Sequence, residues 1–184
     1  MSKVTVLNGS PSGQTRLNGV LDYVVKHFEA ASVSHDVIHI RNLPAEDLIQ
    51  ANFNSQAIKA ANKKIEDSEI IVIITPIYKS SFTGVLKTYL DLLPQDGLEN
   101  KTILPIAIGG TIGHLLMIDY ALKPVLAALG TTHILKGVFI LDQQVKKIDN
   151  NQFELDPEAK NRLVESLNSI MEKDKFKAII NVVN

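Results

Sequence analysis

Two hydrophobic rhythms alternate along the chain: short β-branched runs that stop at turn formers, and longer stretches in which apolar positions recur every third or fourth residue. Val4-Thr5-Val6-Leu7 is the first such run, and it stops at Asn8-Gly9-Ser10-Pro11-Ser12-Gly13, which predicts a strand and then a loop. From about Thr15, apolar positions at Leu17, Val20, Leu21, Val24, Val25 and Phe28 give a helix one buried stripe. His35 to Ile40 alternates polar and apolar and reads as a second strand near a sheet edge, since a fully buried strand is more continuously apolar. The stretch through about Asn54 reads as irregular. Ser55 then caps a predicted helix to Glu66, and Glu69 to Thr75, the most apolar β-branched run, predicts the central strand. Pro76 restricts the residue before it, so Thr75 is expected to end that strand and Pro76-Ile77-Tyr78-Lys79-Ser80-Ser81 to form a loop. A helix from Thr83 to about Leu93, a strand from Lys101 to Ile108, a long helix from His114 to Leu129 and a fifth strand from Ile134 to Ile140 follow. Asp156-Pro157 opens the last helix, with Leu163, Leu167 and Ile170 periodic and Arg162 largely outward.

Five strands separated by helical segments make an α/β protein with an open parallel sheet covered on both faces. The expected domain spans 1–174, and 175–184 form a C-terminal tail that packs on the core, meets a partner subunit or stays disordered. Composition sharpens this picture. Apolar residues are 45% of the chain and aromatics 5%, which predicts a core of Ile, Leu, Val and Ala, the usual filling of buried parallel sheets. With 19 basic against 20 acidic residues and no long basic run, neither nucleic acid nor an anionic membrane is an implied partner. No cysteine is present, so disulfides, thiolate nucleophiles and sulfur-ligated metals are excluded. The five histidines form no metal-like constellation, and no metal site is expected. The first residues reach a turn too soon for a secretory leader and no segment has 18 continuous apolar residues, which predicts a soluble cytoplasmic protein.

Ligands of open parallel sheets sit outside the carboxyl ends of the strands, and three of those ends carry suggestive loops. The first, Gly9 to Thr15, offers hydroxyls on Ser10, Ser12 and Thr15 just before a helix whose first amides are unpaired, with Arg16 as the nearest cation in sequence. It lacks both the dinucleotide pattern Gly-x-Gly-x-x-Gly and the Gly-Lys-Ser/Thr of ATP loops, so a single terminal monophosphate suits it best; the same residues also make an ordinary turn and helix cap. The second, Pro76 to Ser81, exposes backbone and one aromatic, Tyr78, against which a planar heterocycle fits or which simply packs. The third, Gly109-Gly110-Thr111-Ile112-Gly113-His114, has three glycines that let main chain approach a flat ligand or take positive φ. His114 there binds a ligand, moves a proton or merely begins the next helix. Within that helix, Asp119 and Lys123 are spaced for an ion pair, and Pro124 has no amide to return to the carbonyl of Tyr120, so the helix must kink or widen into a π-type bulge around Tyr120. Met117, Ile118 and Ala121 leave apolar surface beyond one sheet-facing side, which points to a homo-oligomer.

With these loops in hand, the chain resembles the NAD(P)H-dependent FMN reductase family of the flavodoxin-like fold. The resemblance rests on Gly9-Ser10-Pro11 with Thr15-Arg16, on Thr75 to Lys79, on Thr83 to Pro94 and on Gly109 to Leu116. Asp119 to Leu126 is similar to the fourth helix of the branch that supplies reduced flavin to alkanesulfonate monooxygenases, which places a π-bulge at the position of Tyr120 near a tetramer interface. The match runs from residue 1 to about 142. It implies a three-layer sandwich with a five-stranded parallel sheet in the order 2-1-3-4-5. It also implies FMN phosphate at Ser10, Ser12, Thr15 and Arg16, and the isoalloxazine beside Pro76, Ile77, Tyr78, Lys79 and Ser80 and near Gly109, Gly110, Thr111 and His114. Ser12 departs from the family, where arginine is common, and so does Leu17, where a hydroxyl is common. The implied reaction is hydride transfer from NAD(P)H, NADPH included, to FMN, with the cofactor supplying the reactivity and no catalytic triad needed. Reduced flavin then goes to a partner monooxygenase from a homodimer or homotetramer. The alternatives are an FMN-bound quinone or azo-compound reductase and a non-enzymatic electron carrier, the latter disfavoured by a net charge of -1.

Overall fold

A computed structural model describes residues 3–148 and 152–183, with side chains through Met171. Its elements are β1 (Val4–Asn8), α1 (Arg16–Ala30), β2 (His35–His39), α2 (Ala45–Ile49), α3 (Gln56–Glu66), β3 (Ile70–Tyr78), β4 (Ser81–Phe82), α4 (Gly84–Leu90), β5 (Thr102–Gly109), α5 (Lys123–Ala128), β6 (His133–Ile134), β7 (Val138–Leu141), β8 (Val145–Lys147), β9 (Phe153–Leu155) and α6 (Pro157–Val183). The backbone of α6 thus runs through most of the expected tail; Asn184 lies outside the described residues. No helix among the described residues is long and apolar enough to cross a membrane.

The sheet is ordered β2-β1-β3-β5, with β6 and β7 together taking the fifth place, and these pairs are all parallel. This is the flavodoxin-like 2-1-3-4-5 order, with β2 at an edge. Alternation along β3 builds the two outer layers, because successive strand residues face opposite sides. Ile71 and Ile73 pack with Ile58 and Ile65 of α3 and Leu86 and Tyr89 of α4. Ile70, Val72 and Ile74 pack on the other face with Leu17, Val20 and Val24 of α1 and Leu163 and Leu167 of α6.

Two prolines redraw the strand ends read from sequence. β3 does not stop at Thr75: it runs through Pro76, which pairs with Ile108, to Tyr78. The Ile74 carbonyl points toward β1, accepting from Gly9 N, so by alternation the missing amide of Pro76 points to the side where β1 has already turned away. The expected continuous fifth strand is instead split. Ile103 directs its carbonyl to Leu135 N, so Pro105 faces the same neighbour without a donor, and that neighbour bulges through Gly137 at φ +88, its α-carbon close against Pro105.

The long helix expected from His114 to Leu129 is also broken. It consists of a 3-10 turn at Ile112–His114, a π-helical segment at Ile118–Leu122, and then α5. Lys123 N donates to Ile118 O, the wide pattern that Pro124 imposes around Tyr120. The Asp119–Lys123 ion pair forms at 2.6 Å. The extra residue in the turn rotates its faces, so Met117 and Ile118, expected to be left for a partner, are buried in the chain's own core. Ile112, Leu115, Leu116 and Tyr120 are exposed in their place, Tyr120 by 78%. The irregular stretch before Asn54 contains α2, and Arg162 is not purely outward: it donates to Phe139 O and Gln144 Oε1.

Candidate functional site

The carboxyl ends of β1, β3 and β5 bring the three sequence-predicted loops to one rim, and hydrogen bonds between them lock it. In the first loop Asn8, buried at the end of β1, accepts from Ser10 N at 2.9 Å through Oδ1. Its amide nitrogen lies 3.1 Å from His39 Nδ1 on β2. Since the Asn8 oxygen is taken by Ser10 N, its amide must donate, and His39 Nδ1 accepts, which puts the ring proton on Nε2. Burial, and then the Arg41 charge, push the His39 pKa down, toward the neutral form this contact needs.

Ser10 is fully buried and its hydroxyl turns into the loop, donating to Ser12 O at 2.9 Å. Ser12 is exposed, and Thr15 N donates to Asn18 Oδ1 at 3.0 Å at the start of α1. Arg16, the cation that sequence places here, directs its Nε to Val145 O at 3.2 Å.

The second loop is a tight hairpin. β3 and β4 pair antiparallel, Tyr78 with Ser81, around Lys79 and Ser80 at φ 50 and 64. A two-residue turn matching the strand twist demands positive φ at both positions, normally filled by Asn-Gly; side chains with Cβ are strained there. Tyr78 is 50% exposed beside it. Thr83, buried directly after the hairpin, ties this loop to the first: its hydroxyl donates to Gly9 O at 2.6 Å and accepts from Leu86 N at 3.1 Å, capping α4.

The third loop starts at Gly109, where a Cβ would stand 3.2 Å from Ile77 Cδ1 and 3.3 Å from Phe139. Close approach is served by Gly109, and none of Gly109, Gly110 and Gly113 takes the positive φ that sequence also allowed. Gly110 and Thr111 are exposed, and His114 Nδ1 meets Ser80 Oγ at 3.4 Å, joining the second and third loops. Among the described residues no group of metal-ligating side chains assembles.

Sequence reading missed Thr83, Asn8 and Arg41. The Arg41 guanidinium packs against Gly13, whose would-be Cβ falls 2.6 Å from Nη1 and 3.2 Å from Cζ. The signal was topological: in a 2-1-3 order, whatever follows the second strand lands beside the first loop.

A parallel sheet in this order, with a turn-rich loop, a strained hairpin and a glycine edge converging at one end, defines a flavodoxin-like protein. The profile of the NADPH-dependent FMN reductase family matches residues 2–146, and the chain belongs to that family. It is accordingly an NAD(P)H-dependent FMN reductase, using FMN and NAD(P)H. It is similar to an FMN reductase (NADPH) of Escherichia coli (strain K12), with 42% identity over 143 residues, 78% of this chain and 75% of that protein. It also resembles an NADPH azoreductase of Bacillus sp. (strain OY1-2), at 26% identity over 59% of each chain. Among solved structures, the apo form of the NADH:FMN oxidoreductase EMOB superposes with a TM-score of 0.81 at 28% identity, covering 92% of this chain and 88% of that one.

Proposed function

We propose that FMN is held across the three loops and that electrons drawn from NADPH pass on to a small planar oxidant of the quinone or azo class. One observation carries the reading: the Thr83 to Gly9 and Ser80 to His114 contacts join the loops into one rim, with nearly bare backbone at Gly109-Gly110. The residues suit FMN. Exposed Ser12, half-buried Thr15, the first amides of α1 and the nearby cations Arg16 and Arg41 match a phosphate, with Ser10 shaping the loop from beneath. Pro76, Ile77, Tyr78, Lys79 and Ser80 and the edge Gly109, Gly110, Thr111 and His114 match a flat ring approached by main chain. FMN held by these residues would supply the redox chemistry, serving as the hydride acceptor for the nicotinamide nucleotide. The chain's own part is to fix the loops in advance and to leave an apolar margin at Tyr78, Ile112 and Leu115 where a planar acceptor docks. The azoreductase relative supports this class of acceptor.

In a second reading, reduced FMN leaves for a flavin-dependent monooxygenase. The π segment at Ile118–Leu122 supports it through its resemblance to the alkanesulfonate-linked branch. In either case we assign the exposed Leu116 and Tyr120 to a homodimer or homotetramer contact, with Tyr120 coupling assembly to flavin retention.

The deciding experiment measures flavin content after purification, then NADPH-driven turnover with added FMN and with a quinone or azo dye. Stoichiometric retained FMN with dye or quinone turnover exceeding FMN turnover is expected. Saturable turnover of free FMN with weaker quinone turnover favours release to a partner. Absence of flavin bleaching on anaerobic mixing with either nicotinamide nucleotide refutes both readings in favour of an electron carrier.

A further inference from the structure

The phosphate loop reaches the fold with its expected cation partly engaged elsewhere: Arg16 Nε is bonded to Val145 O. A second guanidinium takes the vacant side. Arg41 arrives from the turn after β2 and lies against Gly13, where a Cβ on residue 13 would make the guanidinium shift. It is half-buried, and among the described residues it forms no ion pair with a carboxylate. A partly desolvated guanidinium without an anion is a standing electrostatic expense unless a ligand supplies the negative charge. The surroundings point to the sign of that ligand. Ser12 and Thr15 present polar atoms, no acidic residue occurs from Asn8 to Val20, and the α1 amides carry the positive end of a helix dipole. The neighbouring His39 is held by Asn8 and desolvated toward its neutral form, so Arg41 supplies the fixed charge on that side.

We infer that Arg41, seated on Gly13, is the residue that binds the terminal phosphate dianion of the flavin. This rests on the FMN reading above and deepens it: the bare α-carbon of Gly13 leaves room for the guanidinium against the loop, and a Cβ there would make it shift. Planar guanidinium donors match phosphate oxygens, and losing a charge-assisted pair of this kind lowers affinity by about 10- to 100-fold.

The test is fluorescence titration of the flavin-free protein with FMN and with riboflavin, which lacks the phosphate, for wild type, Arg41→Ala, Arg41→Lys and Gly13→Ala. Wild type should prefer FMN. Arg41→Ala should lose about 10- to 100-fold in FMN affinity while riboflavin affinity holds, Arg41→Lys should recover part of the loss, and Gly13→Ala should weaken FMN by displacing a charge that is still present. If wild type binds both flavins equally, the phosphate-loop reading itself fails. If wild type prefers FMN and Arg41→Ala keeps that preference, the loop reading stands and the role of Arg41 is overturned. Equal weakening of both flavins, or a loss of NADPH over NADH preference with FMN affinity intact, also overturns it, as structural support or as a nucleotide contact respectively. Thermal unfolding of each variant with and without inorganic phosphate provides a binding readout independent of the flavin ring: phosphate should stabilise wild type and not Arg41→Ala.

Discussion

Thr83→Val removes one hydroxyl that does two jobs at 1% exposure, at nearly constant side-chain volume. The Thr83 oxygen donates to Gly9 O at 2.6 Å and accepts from Leu86 N at 3.1 Å. Valine makes neither bond, and it leaves a buried carbonyl and a buried helix amide without them. An unpaired buried acceptor costs about 1–3 kcal/mol, and a lost threonine cap about 1 kcal/mol, so the variant should be less stable by about 2–4 kcal/mol. Relaxation is restricted, because a Cβ on Gly9 would sit 3.0 Å from Leu86 Cβ: strand end and helix are already in contact. Urea denaturation measures the change as a shift in midpoint at constant slope. Thr83→Ser retains the hydroxyl and should recover most of the loss. Because Gly9 opens the first loop, FMN affinity should also fall in the valine variant under conditions where it remains folded. A valine variant within about 0.5 kcal/mol of wild type would show that the two bonds contribute no more than a surface contact, and the argument for a pre-locked rim would fail with it.

Three further outcomes follow from the same geometry. Ser80→Gly should stabilise the protein by about 1 kcal/mol in the same denaturation assay, because serine occupies a left-handed backbone position that glycine adopts freely; a loss of stability would mean the 3.4 Å contact with His114 outweighs the strain. Tyr89 is fully buried with a hydroxyl that meets no described protein partner, and desolvation raises its pKa strongly. Tyr89→Phe should therefore be neutral or stabilising by about 1 kcal/mol, and a loss above that size would reveal a hidden partner for the hydroxyl. His39 is held below its ordinary value of 6.5, so between the two values the unfolded chain binds the proton more readily than the folded one. Its contribution is whole above pH 6.5 and is lost as pH falls through the depressed value, where a protonated Nδ1 would oppose the Asn8 amide. Stability measured from pH 7.5 to 5 should decline more steeply in wild type than in His39→Gln, and parallel curves would refute the coupling.

What the sequence determined by itself is whatever its chemistry decides within a few residues. β-Branched runs bounded by turn formers marked the strands, the period of apolar positions marked α1 and the Ser55 cap marked α3, because burial of one helix face and capping are encoded locally. Pro124 dictated the wide turn at Tyr120 for the same reason: the missing amide and the carbonyl it fails to meet lie one turn apart. The loops at Gly9 and Gly109 were legible as sites because turn residues at strand ends mark where an open sheet receives ligands. The rest was decided by which strands became neighbours. Pro76 continues β3 only because β1 has already left that side, and the fifth strand splits only because it lies against Pro105. Ser10 proved to face inward, Met117 and Ile118 went into the core once the π turn rotated them, and Thr83 reached Gly9 across the fold. Arg41 came to rest on Gly13 in the same way. Each of these contacts joins segments distant in the chain, and periodicity carries no information about distance across a sheet; the strand order sets it.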